Sequence, residues 1–367
     1  MKTAKTAKPD RFLFSLILIL ITGGFVIFSS AALGQVGRTS ASFSVVALKQ
    51  LLVLFLGFVM MLIASKIPYK RWRKYSPYIF ALALVLTSLV FVPGIGFGTN
   101  GARRWLDLGF TTFQPSEFLK FGLIVFLAAW LAARKEKIRN LKEGFLPFLI
   151  FLSIVCLLLL KQPDTGTLIV AIFAALSLFM IAGGRWSHLL IIILLGILLA
   201  GALIWTRPYV KDRLVTYLDP QKDSRGASWQ INQSLIAIGS GGLVGRGFGQ
   251  SIQKFNFLPE PIGDSIFAVA AEEFGFIGST IIVGLFLLLA LWGLKLMNKV
   301  KDSFGRLLGI GLVLLITVQS FVNIGAMIGI FPLTGLPLLF ISQGGSALFF
   351  ALIEVGIILN ISKEVRK

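Results

Sequence analysis

The stretch from 258 to 278 reads LPEPIGDSIFAVAAEEFGFIG and brings four carboxylates into one apolar region, namely Glu260, Asp264, Glu272 and Glu273. An ionised carboxylate is costly in hydrocarbon, so a chain that carries several there generally uses them. The chemistry that such groups perform at a membrane is proton transfer, ion binding or the handling of a polar substrate.

Asp264 is the member of this group that is best placed for proton transfer. It stands where the apolar run begins, four residues after Glu260, and the prolines at 259 and 261 impose a bent path on the chain there. Partial burial at such a position raises the pKa of a carboxyl group and suits it to act as a general base. The alternative is that Asp264 is an ordinary helix N-cap.

Glu272 and Glu273 lie two turns further into the same predicted helix. At about 100° per residue they are offset from Asp264 by about 80° and about 180°, so the three carboxylates cannot share one face. We expect each glutamate to meet a basic or polar partner in a structural ion pair or hydrogen bond, and we expect the same of Glu354.

A second polar group lies between 100 and 120. The adjacent Arg103 and Arg104 stand in a glycine-rich segment and suit an anionic ligand, because guanidinium groups bind phosphate and carboxylate bidentately. Glu117 and Lys120 follow, three residues apart on one helical face. They form either a local ion pair or a site in which a cation holds a phosphate that Glu117 orients.

Three further polar segments are open to more than one interpretation. The sequence KQPDTG, which contains Asp164, is typical of a tight turn, although its carboxylate could also hold a divalent cation. The segment 241–260 is rich in glycine, which permits sharp turns and close approach to a ligand, and Lys254 makes it more basic. Gln319 and Asn323 precede a stretch rich in proline and glycine, which we expect to be non-helical and either buried in protein or facing a cavity.

The composition identifies an integral membrane protein. Of the 367 residues, 56% are hydrophobic and 14% are charged, and the mean hydropathy is +0.88. The net charge of +19 comes from basic residues in short patches between apolar runs, which is the pattern of membrane topology signals and argues against nucleic-acid binding. A single cysteine, Cys156, and a single histidine, His188, exclude an internal disulfide and a zinc site built on these residues.

Ten apolar stretches are long enough to cross a bilayer as helices, which takes about 20 residues each. They lie at 12–33, 45–65, 77–93, 115–133, 145–161, 165–183, 187–206, 264–294, 306–331 and 343–361. The sequence therefore predicts an all-α polytopic membrane protein that forms a single domain over 1–367. The first stretch has some features of a signal peptide, an alternative that its length and the nine spans behind it disfavour.

The charges assign the two faces of this domain. Most of the 35 Lys and Arg residues fall in alternate connections, and the positive-inside rule places these connections and both termini in the cytoplasm. The segment 207–263 is then the one large extracytoplasmic loop, too long to be a plain connector. We expect a short amphipathic helix within it, from Gln230 to Ile238.

Several strings in this order, between ten spans, resemble one family, the SEDS proteins (shape, elongation, division and sporulation). The strings are NGARRWLDLG with QPSEFLK, QPDTG, YLDP, QSLIAIGSGGLVGRGFGQSIQKFNFLPE, DSIFAVAAEEFGFIG and NIGAMIGIFPLTGLPLLFISQGGS. They cover nearly the whole chain, from about 12 to 362, and they follow the division branch of the family more closely than the elongation branch.

The resemblance implies an inverting peptidoglycan glycosyltransferase that polymerises lipid II into β-1,4 glycan strands. It implies action on the outer face of the bacterial cytoplasmic membrane, with a class B penicillin-binding protein and other membrane proteins of the division or elongation machinery as partners. A divalent cation, Mg²⁺ or Mn²⁺, could assist the reaction.

The resemblance also implies roles for particular residues. The essential aspartate of the family follows the LPE motif by four residues, which is Asp264 here. To substrate binding we assign Arg103, Arg104, Glu117, Lys120, Asp164, Glu260 and Lys254. This chain departs from the family in reading IGDS at 262–265, where members commonly have His-Thr-Asp-Phe, and GGSA at 344–347, where many have GGSS. The aspartate is kept, so the departures bear on the neighbouring substrate contacts.

Two other functions stay open at this point. A lipid II flippase would move the substrate without forming glycan and would need a charged path through the helix bundle. A scaffold that only recruits a synthase would keep cell-wall synthesis when Asp264 is changed.

Overall fold

The computed structural model describes residues 8–35, 43–99, 102–107, 109, 112–206 and 227–365. Its helices are α1 Arg11–Leu33, α2 Phe43–Lys66, α3 Lys70–Leu89, α4 Pro115–Ala133, α5 Leu146–Lys161, α6 Thr165–Ile181, α7 Trp186–Thr206, α8 Ala227–Ser240, α9 Ile266–Asn298, α10 Ser303–Met327 and α11 Gly345–Val365. One π-helical turn, Leu141–Phe145, leads into α5. Each of the ten predicted spans coincides with one of these helices, so the polytopic helical fold is confirmed.

Seven of the helices are long and apolar enough to cross a membrane: α1, α2, α4, α5 with its π-helical turn, α9, α10 and α11. The other three predicted spans, α3, α6 and α7, are too short or not apolar enough to be counted with these seven. Helix α6 has 17 residues, and the apolar part of α7 covers Trp186–Leu199. Helix α3 begins at Lys70, earlier than predicted, because there is no proline between Pro68 and Pro77 to prevent it. Its first turns therefore carry basic residues.

The two ends of the bundle can be told apart by contacts between distant parts of the chain. The backbone N–H of Asp10 donates to Ser362 Oγ at 2.9 Å, and Trp292 Nε1 donates to Asp10 Oδ1 at 3.1 Å. Lys363 Nζ donates to the carbonyl oxygen of Ser65 at 2.7 Å. The start of α1 and the end of α11 thus lie together, which confirms that both termini are on one side; the opposite end is the outer one.

The core of the bundle lies around α4, α10 and α11. In the apolar windows of these helices 78–83% of the residues are buried, against 22–39% for α1, α2, α5 and α9. The less buried helices therefore form the outer ring, and their exposed apolar side chains are those expected to contact lipid.

A small sheet at the outer end is an addition to the predicted helical fold. Strands β1 Gly96–Thr99, β2 Ala102–Asp107 and β3 Thr112–Phe113 pair antiparallel in the order β1-β2-β3. These strands are short, and the segment is rich in glycine, so its hydrophobic pattern gave no strand signal. The sheet fixes the segment that carries Arg103 and Arg104.

Helix α9 has 33 residues, more than a bilayer needs, and it is broken at Gly275, where φ is 66° and ψ is −163°. The part after the break, 276–298, is about 34 Å long at about 1.5 Å per residue, which matches the hydrocarbon thickness of about 30 Å. Glu272 and Glu273 therefore lie at the outer edge of the span and not inside it, a correction to their expected depth.

The glycine-rich segment that follows α8 bonds the backbone groups at this break. The N–H groups of Arg246 and Gly247 donate to the carbonyl oxygens of Glu272 and Glu273, both at 3.0 Å. In return, the N–H of Phe276 donates to the carbonyl oxygen of Gly242 at 2.8 Å. The glycines thus serve close backbone packing, which was one of the two expected uses.

The predicted loop 207–263 is only partly covered. Residues 207–226 lie outside the described residues, and α8 confirms the predicted helix at Gln230 to Ile238 while extending it at both ends. The division into one domain with a large outer loop stays a prediction.

The break at Gly275 gives a first testable expectation. A Cβ added at Gly275 would lie 2.3 Å from the backbone nitrogen of Gly245, in a backbone conformation that only glycine adopts easily. We expect Gly275→Ala to lose about 3 kcal/mol or more of stability and to lower the thermal midpoint of the purified protein in detergent.

Gly284, in the same helix, is the matched control, because no atom lies within 4 Å of a Cβ added there. Gly284→Ala should leave the midpoint unchanged or raise it slightly, since alanine favours a helix by about 1 kcal/mol. Equal midpoints for the two variants would contradict this account of the break.

Candidate active site at the outer end of the bundle

Asp264 lies in the last turn before α9 and is half-buried. Its Oδ1 accepts a hydrogen bond of 3.0 Å from Gln230 Nε2, and its backbone carbonyl oxygen accepts one of 2.8 Å from Asn323 Nδ2. The N-cap of α9 is Ser265, with no side-chain cap, so the interpretation of Asp264 as an N-cap is wrong. Its carboxylate is instead held by a neighbouring helix.

The surroundings of Asp264 change its acidity. The pKa of this carboxyl group is raised from 3.8 to about 6, mainly by burial; the hydrogen bond from Gln230 opposes the increase and the negative charge of Glu260 adds to it. A base with a pKa of about 6 is ionised at neutral pH and still holds a proton well, which is the compromise that general base catalysis requires.

The turn that carries Asp264 is firmly held. The carbonyl oxygen of Glu260 accepts from the N–H groups of Gly263, at 3.0 Å, and Ser265, at 3.3 Å. The N–H of Gln343 donates to the carbonyl oxygen of Ile262 at 2.7 Å and ties the turn to the segment before α11. Glu260 has a φ of 44°, and its side chain is exposed beside Asp264.

Gln319 and Asn323 hold the non-helical stretch that follows α10. Asn323 Nδ2 donates to the carbonyl oxygen of Leu336 at 2.7 Å, in addition to its bond with Asp264. Gln319 Nε2 donates to the carbonyl oxygen of Pro337 at 3.4 Å. Leu336 is 2% exposed, so the backbone at this point is buried in protein, which was one of the two expected arrangements.

Glu117 and Lys120 form the predicted i,i+3 ion pair, with Lys120 Nζ 2.9 Å from Glu117 Oε2. Lys120 Nζ also donates to Gln319 Oε1. Both charged residues are only 3% exposed. They line a small cavity with Glu354, whose expected basic neighbour is therefore Lys120. The space open to water in this cavity is about 10 Å³, room for one molecule.

Asp164 is buried and caps a helix. Its Oδ1 accepts from the N–H of Thr167 in the first turn of α6 at 3.2 Å, and its Oδ2 accepts from Ser116 Oγ at 3.0 Å and Gln114 Nε2 at 3.3 Å. These bonds agree with the interpretation of KQPDTG as a tight turn. Its predicted part in substrate binding stays a prediction.

The two arginines of β2 differ in their surroundings. Arg104 is half-buried, and its guanidinium group donates to the carbonyl oxygens of Gln162, at 3.3 Å, and Pro163. Arg103 is exposed. Arg103 is therefore the cation of this strand that an anionic ligand could reach directly, while Arg104 joins the sheet to the start of α6.

Most of the predicted polar residues thus belong to one connected group. Asp264 is bonded to Asn323, which is linked to Gln319 through the adjacent carbonyl groups of Leu336 and Pro337, and Gln319 is bonded to Lys120, the partner of Glu117. Ser116, next to Glu117 in the chain, continues the group to Asp164. Gln230 is the functional candidate that sequence reasoning missed, because only its place in an amphipathic helix was readable.

Lys254 lies in a separate buried cluster around Glu273. Its Nζ is 2.7 Å from Glu273 Oε1 and 2.9 Å from both Ser30 Oγ and the carbonyl oxygen of Gly249. Lys254 is fully buried and its three donors are used, so this geometry gives it a structural place and not an open substrate contact.

Glu272 has its own set of donors. Its carboxylate accepts from Ser251 Oγ at 2.5 Å and from the N–H groups of Ile252, at 3.0 Å, and Gln253, at 3.2 Å. Arg246 Nε lies 3.4 Å away. The prediction that Glu272 and Glu273 meet structural polar partners is confirmed.

Within the residues that the structure describes, no group of three or more His, Cys, Asp or Glu side chains is placed to hold a metal ion.

The buried pair of Lys254 and Glu273 gives a second expectation. Lys254→Met leaves a carboxylate buried without its cation, which costs about 3–5 kcal/mol. Adding Glu273→Gln removes both charges and should recover most of that loss in unfolding measurements. Additive losses in the double variant would contradict the pairing.

The exposed pair of Lys137 and Glu143, also 2.9 Å apart, provides the control. Lys137→Met should cost less than about 1 kcal/mol, because water screens an exposed ion pair.

Comparison with known proteins places this geometry in context. Residues 10–367 match the sequence profile of the FtsW/RodA/SpoVE family, described as cell cycle protein. The chain is 37% identical to stage V sporulation protein E of Bacillus subtilis over 99% of its own length and 100% of that protein. It is 40% identical to the probable peptidoglycan glycosyltransferase FtsW of Geobacter sulfurreducens, over 85% of this chain and 83% of that protein.

Solved structures share the fold. A chain from a peptidoglycan synthase complex that coordinates polymerization and crosslinking matches with a TM-score of 0.81 and 28% identity, over 96% of this chain and 97% of that one. The rod shape determining protein RodA of Thermus thermophilus matches with a TM-score of 0.72 and 29% identity, over 98% of each chain. The match along nearly the whole sequence shows that this chain belongs to the FtsW/RodA/SpoVE family.

Proposed function

We propose that this protein is a peptidoglycan glycosyltransferase that polymerises lipid II into β-1,4 glycan strands on the outer face of the bacterial cytoplasmic membrane. The name of the Geobacter relative and the fold shared with a peptidoglycan synthase complex support this activity. The observation that carries the chemistry is Asp264, a half-buried carboxylate with a raised pKa at the outer end of the bundle.

Asp264 acts as the general base in this proposal. It takes the proton of the sugar 4-hydroxyl of the acceptor as that oxygen attacks the anomeric carbon of the lipid-linked donor. The bond from that carbon to the diphosphate breaks, and the polyprenyl diphosphate leaves with the electron pair. Because an α-linked donor gives a β-linked product, a single displacement with one base suffices, without a covalent enzyme intermediate.

The leaving diphosphate needs positive charge more than it needs an acid. Arg103 is exposed at the outer end and supplies that charge in our proposal, with Arg104 holding its strand in place. Lys120 and Lys254 are buried in ion pairs, so in this proposal they stabilise the structure around the site and do not contact the diphosphate. Glu117, the partner of Lys120, and Asp164 are likewise buried and have a supporting part.

Glu260 has a different part. Its exposed carboxylate stands beside Asp264, where it can accept a hydrogen bond from a sugar hydroxyl of the acceptor. Its negative charge also raises the pKa of Asp264 and so makes the base stronger.

A divalent cation enters this proposal only with the substrate. Mg²⁺ commonly binds through one or two carboxylates together with substrate phosphates. With no group of three candidate ligands among the described residues, a cation would be carried mainly by the diphosphate.

The partner is proposed to be a class B penicillin-binding protein, which would cross-link the strands, together with other membrane proteins of the division or elongation machinery. The likeness to a chain of a peptidoglycan synthase complex supports a partner of this kind. The identity of 37–40% to sporulation and division relatives exceeds the 29% to RodA, which supports a role on the division side.

The flippase alternative needs a polar path wide enough for a disaccharide. The polar cavity between α4, α10 and α11, lined by Glu117, Lys120 and Glu354, has room for one water molecule and is far too small for a sugar. It therefore does not favour transport over polymerisation.

The role of Asp264 is tested by Asp264→Asn in the purified complex with its partner, supplied with lipid II while any other glycosyltransferase is blocked. General base catalysis contributes about 10²–10⁴-fold, so glycan synthesis should fall by about that factor while folding and partner binding persist.

Asp302→Asn is the control, because Asp302 caps α10 at the opposite end of the bundle and asparagine caps a helix equally well. It should keep full activity. Normal synthesis by Asp264→Asn would refute the base, and transport of lipid II without any glycan product would support the flippase.

The acidity of Asp264 predicts a pH dependence. The base is active when deprotonated, and its pKa is raised to about 6, so kcat/KM should be level above about pH 6 and fall about tenfold for each pH unit below it. Glu260→Gln removes a charge that raises this pKa, so the acid limb of the profile should move to lower pH. If the acid limb of the wild-type kcat/KM profile lies near pH 4 instead, the pKa of Asp264 is not raised as described.

A further inference from the structure

Gln230 makes a direct hydrogen bond to the carboxylate of Asp264. Gln230 is the fourth residue of α8, and its Nε2 donates to Asp264 Oδ1 and to Ser265 Oγ, both at 3.0 Å. The geometry points to Gln230 as the positioning residue for the base: it aims the Asp264 carboxylate and keeps it ionised. This inference rests on the proposed function of Asp264.

The backbone around Asp264 is already fixed by other groups, so what remains to be set is the direction of its carboxylate. Asn323 holds the carbonyl oxygen of Asp264, and the N–H of Ser265 bonds to Glu260. Neither of these bonds limits rotation of the Asp264 side chain. The bond from Gln230 does, because it reaches one carboxylate oxygen from another helix and leaves the second oxygen for the acceptor hydroxyl.

A neutral amide suits this role better than a cation. A lysine or arginine at this distance would lower the pKa of Asp264 strongly and so weaken the base. The amide of Gln230 lowers it only in part, against the larger effect of burial. Its second hydrogen is donated to Ser265 Oγ, and the opposite orientation of the amide would set its oxygen against the ionised Asp264 carboxylate, which can only accept.

Helix α8 is itself anchored, so the backbone that carries Gln230 is held in place. Trp229 Nε1 donates to the carbonyl oxygen of Phe257 at 3.0 Å, close to the turn that carries Asp264. Ser228 is fully buried and Ile231 is 5% exposed. The faces of α8 on both sides of Gln230 are therefore packed.

The test is Gln230→Met, which keeps the length of the side chain and removes the donor. Initial rates of glycan synthesis by the purified complex are measured from lipid II across the pH range. Without the bond that favours the ionised form, the acid limb should move up by about one pH unit. On the level part of the profile, kcat should fall about tenfold with KM changed less than about twofold, because Gln230 orients the base without binding substrate.

Gln250→Met is the matched control, since Gln250 is an exposed glutamine of the same outer segment. Its profile should coincide with that of the wild type. Ser265→Ala removes the second acceptor of the amide but leaves the bond to Asp264, so it should produce a smaller change of the same kind. Thermal midpoints of all variants separate a local effect from loss of the fold.

A wild-type profile for Gln230→Met, with Asp264→Asn inactive, would overturn this inference and leave the proposed function intact. Activity in Asp264→Asn would overturn both. If Gln230→Met does not fold, Gln230→Glu provides the same comparison, because a second carboxylate there should move the acid limb upward at least as far. An unshifted limb in that variant would equally overturn the inference.

Discussion

Helix α9 breaks at Gly275, and the backbone groups at this break are bonded by residues 242–247 instead of by the helix itself. Near a membrane such groups need protein partners, because lipid offers none. The glycine-rich segment can approach only because Gly245 and Gly275 lack side chains. Through this contact the outer segment is tied to α9, the helix that directly follows the turn carrying Asp264.

The charged groups at the outer end divide into two sets by burial. Lys254 with Glu273 is a buried pair that joins the glycine-rich segment to α9, and Lys120 with Glu117 is a buried pair within α4, where Lys120 also donates to Gln319 of α10. Breaking such a pair is costly, so these residues give the site its rigidity. A smaller set remains reachable, namely Asp264, Glu260 and Arg103. In the proposed reaction Asp264 is the base and Arg103 is the cation, and the buried pairs make the surrounding structure rigid.

Much of the fold and part of the site could be predicted from the sequence. Hydropathy predicted the ten helices. The cost of placing a charge near lipid predicted that Glu272 and Glu273 have structural polar partners. The position of Asp264 before an apolar run identified it as the candidate base. The break at Gly275, the pairing of Lys254 and the bond from Gln230 could not be predicted, because each depends on contact with another segment of the chain; Gln230 and Asp264 are 34 residues apart, and Lys254 and Glu273 are 19 apart. The small sheet escaped for a local reason, its short glycine-rich strands.

The central claim is that the carboxyl group that titrates near pH 6 is Asp264 and that it is the reacting base. Infrared difference spectra of the wild type and Asp264→Asn across the pH range measure this directly, through the C=O stretch of a protonated carboxyl group. The account predicts a band with a midpoint near pH 6 that the variant lacks and that follows the acid limb of glycan synthesis. An Asp264 band with a midpoint near pH 4, or an acid limb that does not follow it, would contradict the account.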